Sequence, residues 1–231
     1  MLHYREIPPS PEWASTIECF WTIRQDGEAA LHRVLPDGCA DILLWEAKVE
    51  VVGPMTTFRD HTLDAGEQLL GVRFRPGRWT GALGVPADRI VDTVLPLEDV
   101  WGSRAKKFLD GEDFARTLEA ALPRPAPEDP VDRALAYLER VAGSASVEDL
   151  ADQAGMSERQ FRRVCLERTG LTPKLLARVL RFRHAAARVH AAQSAVALAL
   201  DCGYYDQAHL IRDFREFSGR TPGANCANAQ I

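Results

Sequence analysis

Short apolar runs dominate the front half of the chain. Over residues 16–24, 31–35, 41–45, 48–52 and 68–74 apolar side chains follow one another or alternate with polar ones, and Pro-Asp-Gly, Gly-Pro or Ala-Gly separates the runs. Such runs, punctuated by turn formers, predict strands with a buried face. Over residues 78–122 the apolar spacing lengthens toward three and four, most clearly in 105–122, so this β-rich unit is expected to end in helices. Residues 122–130, LPRPAPEDP, hold four prolines in nine positions and can sustain neither a helix nor an inner strand. They predict a linker over 123–130. Everything after it has helical spacing, so the chain reads as α+β, with a β-rich domain over 1–122 and an all-α domain over 131–231.

The helical part repeats itself. Displaced by 49 residues, Phe161 falls on Leu210, Arg163 on Arg212, Cys165 on Phe214, Glu167 on Glu216 and Gly170-x-Thr172-Pro173 on Gly219-x-Thr221-Pro222. Two copies make a duplicated motif, since a solenoid needs about three. In the first copy Ser146 can cap a helix with Glu148 and Asp149 at its positive end and Val147, Leu150, Ala151 and Ala154 as its buried stripe. Gly155 can close that helix in a tight turn, and Ser157 with Gln160 forms a Ser-x-x-Gln capping box for the next. Helix, short turn and capped second helix are the grammar of a helix-turn-helix. On the second helix Phe161, Val164 and Cys165 share one side, which leaves Arg159, Arg162 and Arg163 on the other. Arginine can donate two hydrogen bonds to guanine O6 and N7, and the DNA major groove admits an α-helix.

The second copy runs from a cap at Ser194 through Val196, Leu198, Ala199 and Leu200 to Gly203, then restarts at Asp206 for a helix over 207–217. Leu210, Phe214 and Phe217 are its expected core. Gln207, Ala208, His209, Ile211 and Arg212 are left facing outward, where Gln suits adenine and Arg suits guanine or phosphate. Between the copies Thr172-Pro173 starts a helix expected to reach about residue 192, a rod of roughly 30 Å. That is near the ~34 Å of one DNA turn, so two recognition helices of one chain could enter successive major grooves. Arg178, Arg181, Arg183 and Arg188 on the rod are open to phosphate contact, packing or solvation.

Charge supports this division. The net charge is −5, but residues 1–130 hold 14 Lys and Arg against 22 Asp and Glu, whereas residues 131–231 hold 14 against 11. From Arg159 to Arg188 nine basic residues face a single acid, Glu167. A basic stretch in an otherwise acidic chain is the electrostatic footprint of a phosphate-binding surface. Five cysteines without a C-x-x-C pair argue against a disulfide framework or zinc finger, and no apolar stretch is long enough for a membrane span or a signal segment. A cytoplasmic protein without a bound metal or cofactor is expected.

Residues 198–212, LALDCGYYDQAHLIR, with Gly219-x-Thr221-Pro222, are similar to the signature of the AraC/XylS family of bacterial transcription regulators, and the likeness spans residues 131–222. This resemblance implies binding of double-stranded DNA through Arg159, Arg162 and Arg163 in the first recognition helix and through Gln207, Ala208, His209 and Arg212 in the second. It also implies RNA polymerase as a partner where such a regulator activates. After Pro222 the chain departs from the family, continuing as GANCANAQI in place of the usual closing helix. The front part resembles an uncharacterised β-rich domain found ahead of this module, through His32-Arg33-x-Leu35-Pro36-Asp37-Gly38-Cys39-x-Asp41 and Gly71-Val72-Arg73-Phe74-x-Pro76-Gly77. Pro36-Asp37-Gly38 is in the first place a turn signal.

Such a front domain, a cupin-like barrel or similar, is expected to sense a small-molecule effector or to pair two copies of the chain. Trp21, Trp45, Phe74 and Trp79, with His32, Asp37 and Asp41 near them in sequence, are the candidate effector-binding residues, since small-molecule pockets are mostly apolar with a few placed polar groups. Phe20 belongs to the same aromatic set. Two other readings use the same region. A metalloenzyme would gather His32, Cys39, Asp41 and His61, though the close His-x-His pair is missing. A DNA-repair regulator would use Cys39 as methyl acceptor, though its four-cysteine zinc site is absent.

Overall fold

The structure is a computed structural model that describes residues 1–46, 48–108, 113–222 and 229–230, and of Lys107, Ala229 and Gln230 the backbone alone. In chain order the strands are β1 (Leu2–Ile7), β2 (Ile17–Gln25), β3 (Ala30–Val34), β4 (Ala40–Trp45), β5 (Lys48–Val52), β6 (Arg59–Leu63), β7 (Gln68–Phe74), β8 (Val94–Pro96) and β9 (Ala229–Gln230). Six of them form an antiparallel sheet in the order β1-β2-β7-β4-β5-β8; the other sheet has the order β6-β3-β9, with β9 parallel to β3. The expected β-rich front domain, a cupin-like barrel or similar, takes the form of two ladders that face each other across a cavity.

Alternation sorts the six-stranded sheet into two faces. On β4 Ala40, Ile42 and Leu44 point to one core while Leu43 and Trp45 join the other, and on β7 Val72 and Phe74 are separated from Leu69 in the same way. A bulge between Ile17 and Cys19 shifts the register of β2, so Ile17 and Phe20 share the first face while Cys19, Trp21 and Ile23 share the second. The first face is covered by α1 (Trp79–Leu83), α2 (Leu97–Trp101) and α3 (Phe114–Ala121), around fully buried Phe74, Trp79 and Phe108. The helical expectation for 105–122 is met only in part: a 3-10 stretch, Gly102–Phe108, precedes α3, and residues 109–112 lie outside those described.

After the prolines Asp129 caps α4 (Pro130–Arg140), accepting hydrogen bonds from the amides of Val131 and Asp132. Then follow α5 (Val147–Gln153), α6 (Glu158–Thr169), α7 (Pro173–Ala186), α8 (Ala195–Asp201) and α9 (Gln207–Ser218). Two cores result. Leu135, Leu138, Leu150, Phe161, Cys165 and Leu176 fill the first unit; Val179, Phe182, Leu198, Leu210, Phe214 and Phe217 fill the second. The connecting helix α7 contributes its front to one and its rear to the other. It is shorter than expected, 14 residues or about 21 Å, because beyond Ala186 the amides of Arg188, Val189 and Ala191 bond three residues back and tighten the chain toward α8.

Candidate nucleic-acid interface and cavity

The two units superimpose in sequence register. α5 and α8 are seven residues long and 48 apart; α6 and α9 are twelve residues long and 49 apart, so the second turn carries one extra residue. Each recognition helix is capped at the equivalent position. Ser157 Oγ accepts from the Gln160 amide in a complete capping box, and Asp206 Oδ1 accepts from the His209 amide at 2.6 Å. On α6 Arg159, Arg162 and Arg163 are exposed opposite buried Phe161 and Cys165. Arg162 pairs with Glu158, and Arg163 with Glu167 at 2.8 Å. Both pairs are solvent-exposed and stabilise little, so the guanidiniums can exchange them for phosphate or base edges at small cost. On α9 Gln207, Ala208 and Arg212 are exposed, whereas His209 is half-buried with its ring edge-on to Tyr204, 5.1 Å between centroids.

The arginines of α7 serve the protein interior. Arg178 Nη2 reaches Asp213 at 2.7 Å and Glu216 at 2.6 Å on α9 and lies over the Phe217 ring. Arg181 donates to the Gly143 carbonyl at 2.7 Å, and Arg183 pairs with Glu18 on β2. Packing therefore claims Arg178, Arg181 and Arg183, and Arg188 turns back onto His184.

Both units also meet the front domain, at matching places. Gly170 and Gly219 end the two recognition helices in the left-handed region, φ 72° and 68°, and stand 49 residues apart. A Cβ on Gly170 would come 2.3 Å from Val91 and 3.0 Å from the Ala87 carbonyl oxygen; on Gly219 it would come 2.6 Å from the Phe58 ring and 3.1 Å from Arg33. Arg33, stacked 4.0 Å over Phe58 and paired with Asp60, donates to the Ser218 carbonyl at 2.9 Å, and Thr57 Oγ1 donates to the Glu216 carbonyl at 3.0 Å. Leu35 is buried in the second unit's core. The front domain thus touches the C-terminal end of each recognition helix and leaves Arg159, Arg162, Gln207 and Ala208 exposed.

Between the two sheets lies a cavity of about 160 Å³. Trp21, His32, Asp37, Asp41 and Trp45 of the candidate effector residues line it, with Tyr4, Leu43, His61, Leu69 and Arg73. Phe74 and Trp79 do not, and neither does Phe20: strand alternation turns Phe20 and Phe74 to the opposite face, and Trp79 belongs to α1 on that side. These three are core residues, a correction to the sequence reading. The residue it missed is Arg73, whose Nε lies 3.1 Å from Asp37 Oδ2 and 3.6 Å from Asp41 Oδ1, joining the two motifs that carried the likeness of the front domain. Arg73 was already within the quoted Gly-Val-Arg-Phe string; its position on the cavity face of β7 is the signal that identifies it.

Pro36-Asp37-Gly38 is indeed a turn, with the Asp37 carboxylate accepting from the Cys39 amide at 2.8 Å. Burial pushes Asp41 up to about 7 against the pull of Arg73. Burial, aided by His61, pushes His32 down to about 4, so its imidazole is neutral. The indole nitrogens of Trp21 and Trp45, His32 Nδ1, His61 Nε2 and Asp41 Oδ1 are buried without a hydrogen-bond partner. Cys39 donates its thiol to Glu18 at 3.4 Å, and burial holds it well above the usual thiol range, against its use as a nucleophile. Glu18 is raised by burial but lowered further by Arg183, and stays charged. A chain of contacts therefore leads from Asp37 through Cys39 and Glu18 to Arg183 on α7. His32 and His61 are opposite each other in the β3–β6 ladder, yet among the described residues no three His, Cys, Asp or Glu side chains are grouped to hold a metal ion. Cys226 and most of the tail after Pro222 lie outside the described residues.

Comparison with known proteins adds two family matches. Residues 150–225 match the family described as a Helix-turn-helix domain, and residues 5–96 match a Domain of unknown function (DUF6597). No curated protein matches. Among solved structures, the DNA-binding domain of AdpA, a global transcriptional factor crystallised with a target DNA, is 28% identical over 42% of this chain and 89% of its own, with a TM-score of 0.40. An AraC-type regulator from Chromobacterium violaceum is 25% identical over 40% and 85%, with a TM-score of 0.37. ToxT from Vibrio cholerae covers 96% of this chain and 95% of its own at 11% identity, with a TM-score of 0.44. Among the described residues no helix is long and apolar enough to cross a membrane. With tandem capped units, the signature of residues 198–212 and the helix-turn-helix family match, the C-terminal part of the chain is a helix-turn-helix domain similar to those of AraC-type transcription regulators.

Proposed function

We propose that one polypeptide reads two successive major-groove segments, α6 through Arg159, Arg162 and Arg163 and α9 through Gln207, Ala208, His209 and Arg212, under the control of the front domain. The observation that carries this reading is the equivalence of the two units. Their recognition helices have the same length and cap position, and each is held at its C-terminal glycine by the front domain, so N-terminal turns of both remain exposed. A helix-turn-helix presents that end to base edges.

Control by a small-molecule effector is supported by the cavity and its unpartnered polar atoms, and by the contacts from Asp37 to Arg183 that join it to the connecting helix. An effector regulates only if it binds the DNA-competent and incompetent states unequally, which makes the coupling reciprocal. Pairing of two chains through the front domain is the alternative mode of control. Operator titration of the full chain, with and without a cavity ligand, tests the reading: a ligand that saturates the cavity and leaves operator affinity unchanged refutes effector control, and concentration-dependent dimerisation then becomes the quantity to measure.

A further inference from the structure

The composition of the cavity narrows what can fill it. In its lining two carboxylates, Asp37 and Asp41, face one guanidinium, Arg73. The neighbouring carboxylate, Glu18, is matched by its own partner Arg183. Burial holds Asp41 near 7, so above neutral pH it is ionised and one negative charge is left in excess. An anion placed there would be repelled by both carboxylates, and a neutral molecule would leave the excess charge without compensation. Asp41 Oδ1 is buried without a donor at full hydrogen-bond geometry, its nearest donors being Arg73 Nε at 3.6 Å and the Trp21 indole. Much of the rest of the lining is aromatic or aliphatic, Tyr4, Trp21, Leu43, Trp45 and Leu69 among it, with the Trp45 ring 4.6 Å from that of His61. Aromatic faces attract cations as well as apolar bodies.

From this we infer that the cavity takes a small protonated amine with an aromatic or compact aliphatic body, its ammonium directed at Asp41 and its body set between Trp21 and Trp45. The inference rests on reading the cavity as an effector site, but it concerns ligand chemistry alone. Size is consistent. A cavity of about 150 Å³ holds a benzene ring, and this one is about 160 Å³, with Glu50 and Arg59 adding one charge of each sign to its lining.

Benzylamine, benzyl alcohol and phenylacetate are probes of nearly one shape and three charges. Titrated calorimetrically into the full chain at pH 8, benzylamine is expected to bind at least tenfold more tightly than benzyl alcohol, with phenylacetate weakest. Asp41→Asn should bring the amine-to-alcohol ratio to about one, and Trp45→Ala should weaken amine and alcohol together. Equal or tighter binding of the alcohol or the acid to the unmodified chain overturns the inference, as does failure of all three to bind; both outcomes are independent of whether a variant folds. Operator affinity measured in saturating benzylamine reads the other question. Binding of the amine without a change there leaves the ligand class standing and removes effector control.

Discussion

On the exposed side of α6 stand Arg159, Arg162 and Arg163; on the same side of α9 stand Gln207, Ala208 and Arg212, with His209 half-buried between them. Identical length and capping thus carry different chemistry. The first unit draws on charge, and its binding should depend strongly on salt, whereas the second offers an amide and one guanidinium and depends more on fit to base edges. The supports differ as well. At the repeat position where the first unit has Arg168, tied to Asp129 and Asp132 of α4, the second has Phe217, fully buried under the Arg178 guanidinium. The second turn is longer by one residue, and with it Tyr205, Val196 and Leu200 are exposed at 91%, 52% and 68%. On the proposed reading, one duplicated frame would serve an electrostatic anchor and a more selective reader.

The largest effect that separates the units comes from their cores. Phe161 and Phe214 are both fully buried, each in a different cluster, and truncation to alanine should cost about 3–5 kcal/mol in either case. Phe214→Ala should remove protection of one groove segment and leave the other, with Phe161→Ala giving the converse; chemical denaturation and footprinting at low temperature read both. Loss of both segments in either variant would mean that the units do not act separately.

Next in size are the reading residues. Arg163→Ala and Arg212→Ala should each weaken operator binding by about 1–3 kcal/mol with little change in melting temperature, since both are exposed. Where Arg163 meets phosphate, its loss should also lower the salt slope of log K by about one, while Arg212 lost from a base edge should relax sequence preference at one position. Binding isotherms at several salt concentrations, on the operator and on single-base variants, distinguish the two.

Smaller effects are expected at the matching glycines. Alanine at 170 or 219 pays for a left-handed backbone in both, about 1–2 kcal/mol. Gly170→Ala should be the worse, because the Ala87 carbonyl it meets is backbone, whereas the Phe58 ring and Arg33 side chain beside Gly219 can move aside. Urea unfolding of the two variants compares them directly, and a larger loss at Gly219 would contradict the contact assignment.

The smallest effect is a pH dependence confined to the first unit. The Arg168 guanidinium beside Asp129, helped by its cap hydrogen bonds, holds that carboxyl down to about 2 from 3.8. A depressed carboxylate contributes stability that is fully present above its unfolded value and lost as pH falls through its folded value. Asp129 is well exposed, so the contribution should stay under about 1 kcal/mol. Asp129→Asn should therefore melt slightly lower than the unmodified chain at pH 7, with the difference closing between pH 4 and 2.

Much of this was legible in the chain because local rules decide it. Ser146, Ser157, Thr172, Ser194 and Asp206 are caps by their chemistry, and each caps the helix it announces. Apolar spacing on α6 and α9 fixes which side is free. What was not legible depends on partners distant in sequence. β6 reads RDHTL and offers little apolar pattern, since its pairing with β3 and the cavity wall, rather than a buried core face, sustains it. Phe74 and Trp79 were assigned to the effector site because aromatic content does not say which face of a sheet a residue takes; that needs the register of β2, β4 and β7. Arg178, Arg181 and Arg183 belonged to an apparently basic rod until their acceptors on α9, at Gly143 and on β2 were known.

The central claim, that one chain places two unlike units in adjacent grooves, is tested most directly by methylation-protection footprinting of the full chain on its operator at concentrations where sedimentation shows a monomer. The account predicts two protected major-groove segments about one turn apart on one face of the duplex, with Arg163→Ala weakening protection in one and Arg212→Ala in the other. A single protected segment, or two that appear only when a dimer occupies inverted half-sites, would contradict it.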